Sequence, residues 1–156
     1  MFARVCALIF ALVLASGQLW AQQEPLMGTW KLNLAKSKYS PGPPPRSRTL
    51  KYEPSGTNKV KLTNDGVLAN GETTHAEDAY VFDGKDYPVT GDANVDMVAS
   101  RRIDAYTTET LSKKSGKTVT TTRRVVSPDG KTLTITAKGT NANGQPYNDV
   151  RVFDKQ

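Results

Sequence analysis

The stretch KTVTTTRRVVSPDGKTLTITAK, residues 117–138, decides the fold. Two runs rich in β-branched residues, 117–126 and 131–138, flank the dipeptide Asp129-Gly130. Such runs favour strands, and an Asp-Gly between them favours a tight antiparallel reversal. In the second run Leu133 and Ile135 alternate with threonines, so one face is apolar and the other polar.

The same unit recurs along the chain. Turn dipeptides stand at Ser55-Gly56, Asp65-Gly66, Asn70-Gly71, Asp83-Gly84, Ser115-Gly116 and Asn143-Gly144. The segments between them give predicted strands at 28–34, 48–53, 58–64, 75–82, 86–90, 95–103, 106–112, 117–126, 131–138 and 146–153. In 48–53, Leu50 and Tyr52 alternate with Lys51 and Glu53; in 58–64, Val60 and Leu62 alternate with Lys59 and Lys61. The segment SPGPPPR cannot form a regular helix and reads as an extended arm over one end of the sheet. Connections after residue 48 are nearly all short, whereas a two-sheet sandwich needs long crossings. The expectation is an all-β, antiparallel up-and-down β-barrel of about 8–10 strands, closed so that no strand edge is left open.

Residues 1–21, MFARVCALIFALVLASGQLWA, carry a basic Arg4, an apolar run and then small or polar residues, the layout of a signal peptide. Cleavage is expected after Ala21, with Gly17 as the other site, and the product is expected to be secreted or periplasmic. Of the 156 residues, 135 then remain as a single domain, 22–156, with 20 Lys and Arg against 15 Asp and Glu, a charge of +5. No cysteine is left in that domain, because the one Cys is Cys6. Its stability must come from core packing alone. The basic residues are dispersed from Lys31 to Lys155, which does not suggest a nucleic-acid interface, and no membrane-spanning segment is expected after the leader.

The predicted domain opens with GTWKLNL at 28–34 and closes with VRVFDKQ at 150–156. This pairing resembles the calycin superfamily, the lipocalins and fatty-acid-binding proteins, and most closely small secreted bacterial lipocalin-like proteins. The resemblance implies that Gly28 and Trp30 start the first strand, with Arg151 from the last strand lying against the indole. Closure of a barrel brings the first and last strands together, and a guanidinium over an indole contributes about 0.5–2 kcal/mol. The lipocalin Thr-Asp-Tyr motif is missing. Arg151-Val152-Phe153 lacks the phenol of the fatty-acid-binding Arg-x-Tyr, and SPGPPPR replaces a helical lid. Fatty-acid binding is therefore not carried over.

Two arginine doublets, Arg101-Arg102 and Arg123-Arg124, fall within predicted strands, so one member of each must face inward. The neighbours Val95, Met97, Ala99 and Ile103 nominate Arg101, and Val119 and Val125 nominate Arg123. With Arg151 they are expected to gather toward one end of the barrel. There they either hold a carboxylate or phosphate head group, form an internal salt-bridge layer with Glu109 and Asp149, or snorkel to the rim. A small hydrophobic or amphipathic ligand is thus expected inside the barrel, lined by Val95, Met97, Val119, Leu133 and Ile135, with Arg101, Arg123 and Arg151 on its head group. The rival reading is a filled barrel or sandwich serving as an interaction module of the cell envelope, with no ligand. An interior void of about 300 Å³ or more separates the two.

Enzyme chemistry finds little material. The single His75 lies beside Glu77 and Asp78 without a nucleophile, and no GxSxG, P-loop or GxGxxG occurs. The alternating Asp92, Asn94 and Asp96 lack the glycine and closing Glu of a calcium loop. Tyr80, Phe82 and Tyr87 read as a cluster that pins a hairpin, or as a sugar platform. No metal, cofactor or catalytic activity is expected.

Overall fold

In the computed structural model, which describes residues 24–156, alternation and short turns produce ten antiparallel strands. They are β1 (Gly28–Leu32), β2 (Ser47–Pro54), β3 (Val60–Val67), β4 (Thr73–Tyr80), β5 (Asp83–Thr90), β6 (Met97–Arg102), β7 (Thr107–Lys114), β8 (Lys117–Val126), β9 (Thr132–Thr140) and β10 (Pro146–Lys155). Each strand pairs with its neighbours in sequence, and β1 pairs with β10, so the sheet is a closed up-and-down barrel. A 3-10 turn at Leu34–Lys36 follows β1. No helix among the described residues is long and apolar enough to cross a membrane. The predicted leader, 1–21, lies outside the described residues.

Closure rests on a different cation from the one expected. Trp30 pairs with Lys155 in register, and the Lys155 ammonium stands 5.0 Å from the indole centroid. Arg151 instead lies over the Tyr39 ring at 5.8 Å and pairs with Asp149 at 2.7 Å. The reason is register: β1 enters against the very end of β10 and has reached only Phe153 by Leu32, short of Arg151. Gly28 takes a φ of +117°, and a Cβ there would meet Lys155 Cε at 3.0 Å. Its missing side chain lets the lysine stem lie across the tryptophan.

The apolar core fills the end that contains Trp30. Trp30, Tyr52, Tyr80, Leu133 and Phe153 are fully buried, and Leu26 and Met27 plug the opening from below. The indole N–H donates to the Leu26 carbonyl at 2.8 Å, which satisfies the buried donor. Arg102 reinforces this base, pairing with Glu24 at 2.6 Å and lying 4.6 Å over Phe82. Phe82 in turn meets Tyr80 edge-on at 5.5 Å, so the aromatic cluster is packing at the base of the barrel.

Three local features depart from simple alternation, one of them a register shift between Asp83 and Asp86 where β5 pairs with β6. Asp65-Gly66 lies inside β3 rather than in a turn, because the reversal comes later, where Leu68 and Glu72 pair. In β8, Ser112 pairs with Thr120 but Lys113 with Thr118, so Val119 is an extra residue, a β-bulge. The bulge changes which residues of β8 share a face with Val119.

Candidate functional site

Above the core the barrel encloses a cavity of about 560 Å³. Leu50, Tyr52, Leu62, Ile135 and Phe153 contribute to its lining, and the loops at 92–95 and 140–142 lie around its mouth. Three arginines reach it: Arg48 from β2, Arg124 from β8 and Arg151 from β10. Hydroxyls and amides from Asn64, Ser112, Thr120, Thr122 and Tyr147, with the charged side chains of Asp92 and Lys114, complete a polar wall.

The inward arginines of the doublets are thus Arg102 and Arg124, and the expected pair, Arg101 and Arg123, lies outside. Arg101 pairs with Glu109 at 2.6 Å on the outer wall, with its side chain 63% exposed. Arg123 is exposed and sits in register with Glu109 from the other side. In β6 the inward face carries Val98, Ser100 and Arg102, while Met97 is 39% exposed. Ser100 is buried against Thr110 at 2.8 Å, so a polar pair occupies a core-facing position that hydrophobicity alone would not select. In β8 the bulge lets Val119 line the cavity although it differs by one position from the inward set Thr120, Thr122 and Arg124. Of the expected lining residues, Val95, Val119, Ile135 and Arg151 are in place. Leu133 is packed in the core beneath, and Met97 is on the outside.

The three cavity arginines have unequal partners. Arg151 is neutralised by Asp149, which is buried and also accepts from the Ser40 amide at 3.1 Å. Arg124 donates to the Tyr52 hydroxyl at 3.0 Å and to Thr110 at 2.6 Å, and both partners are neutral. Arg48 has a buried Nε without a partner. Among the described residues no carboxylate forms an ion pair with either Arg48 or Arg124. Burial, and then the nearby Arg151, pull the Arg48 pKa below its ordinary value. Asp78, inward on β4, is the carboxyl nearest in influence to Arg124, yet burial pushes its pKa up to about 6 against the pull of that arginine.

Arg48 was legible in the sequence, since it shares alternation with Leu50 and Tyr52. Arg124 was obscured by the bulge. His75 is on the outer wall, its side chain 60% exposed, with Nδ1 2.6 Å from Asp65. It is remote in face from the cavity, whose lining does not include it.

No family model matches this sequence, and no curated protein sequence does either. Solved structures do share its fold. The fluorescent protein UnaG superposes with a TM-score of 0.54 at 16% identity, over 85% of this chain and 98% of that one. The zebrafish ileal bile acid-binding protein, solved with cholic acid, gives 0.51 at 11% identity, over 85% and 99%. The chain therefore has a calycin-like barrel fold of ten strands.

Proposed function

We propose that this protein is an exported, non-enzymatic carrier that holds a small amphipathic anion inside its barrel. The observation that carries the reading is the pair of guanidiniums, Arg48 and Arg124, that face one cavity and form no ion pair, although the Asp92 carboxylate also lies in its lining. An isolated charge in a low-dielectric interior is costly, and the cost falls when an anion enters. Arginine supplies the forked donor geometry suited to carboxylate, sulfonate or phosphate.

The volume of about 560 Å³ lies within the range of small-molecule sites, well above the void expected of a filled barrel. Leu50, Leu62, Ile135 and Phe153 offer an apolar surface for the body of the ligand. A protein of the same fold, from zebrafish, was solved with cholic acid, which supports a compact amphipath as the ligand. Export is proposed from the leader-like residues 1–21 alone, and the dispersed basic residues give nucleic acid no part in this reading. The position of His75 on the outer wall, away from the cavity, supports binding over catalysis.

Native mass spectrometry of protein isolated without detergent from its own host tests the reading. A recurrent bound mass released as an anion is expected. Repeated recovery of the bare chain, together with failure to take up any amphipathic anion added afterwards, overturns it.

A further inference from the structure

We propose that the ligand carries two acidic groups, one bound at Arg48 beside Arg151 and the other at Arg124 on the cavity floor. The inference rests on the carrier reading and adds a chemical class to it. Both guanidiniums line the same cavity, but they belong to separate polar groups. The charged and phenolic neighbours of Arg48 are Arg151, Tyr39, Asp92 and Asp149, whereas those of Arg124 are Tyr52, Tyr80 and Asp78. The sets have no member in common.

Strand geometry separates them further. Arg48 and Tyr52 face inward four residues apart on β2, a rise of about 13 Å. Arg124 is tied to the Tyr52 hydroxyl, at the far end of that interval. One carboxylate is too small to serve both poles. A monoacid seated at Arg48 would lay its methyl end against Arg124 and leave that charge uncompensated.

Donor capacity points the same way. A guanidinium has five N–H donors. Arg124 uses two, toward Tyr52 and Thr110, and no side-chain hydrogen bond of Arg48 occurs among the described residues. The floor is thus furnished for a polar end group, and the apolar side chains Leu50, Leu62 and Ile135 suit the stem between the two ends.

The test is isothermal titration of the whole protein with decanedioate, dodecanedioate and tetradecanedioate, each against the monoacid of the same chain length. At least one diacid is expected to bind about tenfold or more tightly than its monoacid, a difference of about 1.4 kcal/mol. Arg124→Gln is expected to erase that preference, and Arg124→Lys, which keeps a cation, to retain part of it. Thermal melts establish that each variant is folded, and the comparison within the unaltered protein does not depend on them. Monoacids binding as tightly as diacids at every length would overturn the two-pole ligand but leave the carrier. A diacid preference that persists in Arg124→Gln would overturn the assignment to Arg124. Binding of neither class would overturn the carrier reading and this inference with it.

Discussion

The Arg124 guanidinium crosses the barrel interior to the Tyr52 hydroxyl, with Nε and the phenolic oxygen 3.0 Å apart. The bond joins β8 to β2, strands far apart in sequence, and fixes the floor of the cavity. Tyr52→Phe removes the acceptor while keeping the ring. Hydrogen bonds to charged groups contribute about 1.5–3 kcal/mol, so urea denaturation should show a loss of that order. A variant as stable as the parent would mean that the bond does not organise the floor.

Asp78 gives the floor a pH dependence. Its folded pKa is raised from 3.8 to about 6, first by burial and against the opposing effect of Arg124. A raised carboxyl pKa means that the folded state holds the proton more tightly than the unfolded one. The associated stability is fully present below about pH 4 and is lost as the pH rises through about 6. Two pKa units correspond to about 3 kcal/mol. Denaturation curves of Asp78→Asn should therefore gain on the unaltered protein as the pH rises across that window, with little further change above it. Parallel profiles would show that Asp78 ionises as freely as it does in the unfolded chain.

The outward doublet members supply an internal control. Arg101 lies on the surface beside Glu109, and exposed pairs contribute about 0–1 kcal/mol. Arg101→Ala and Arg123→Ala should leave both stability and the uptake of an amphipathic anion nearly unchanged. Loss of anion binding in either variant, measured by titration, would return the site to the outer wall.

Closure of the ring depends on Gly28 and Trp30. Gly28→Ala places a side chain at φ +117° and against the Lys155 stem, and strain of this kind costs about 1–3 kcal/mol. Trp30→Ala opens the fully buried base and should cost about 3–5 kcal/mol. Calorimetric melting checks both. A Gly28→Ala protein as stable as the parent would show that the strand enters the barrel without the close approach of Lys155.

Much of this architecture is legible in the sequence, because period-two patterning and Gly-containing turns carry it. Leu50 with Tyr52, and Leu133 with Ile135, mark their inner faces directly. The faces of β6 and β8 are less legible, for two physical reasons. Inward positions there are filled by Ser100 and Thr122, whose hydroxyls find a partner or line the cavity, so polarity no longer signals solvent. The bulge at Val119 then shifts the apparent phase by one residue, and a one-residue shift exchanges Arg123 for Arg124. Register is likewise invisible to a motif such as Gly-x-Trp with a terminal Arg. The cation over Trp30 is Lys155, four residues beyond Arg151.

On the proposed reading, an anion completes a cavity in which Arg48 and Arg124 form no ion pair, whereas Arg151 is already paired with Asp149. Calorimetric titration with decanesulfonate, whose charge does not titrate, against uncharged decanol tests it most directly. The sulfonate should bind about tenfold or more tightly than the alcohol, and Arg48→Gln should remove most of that difference. Equal affinity for the alcohol and the sulfonate, unchanged by Arg48→Gln, would contradict the account.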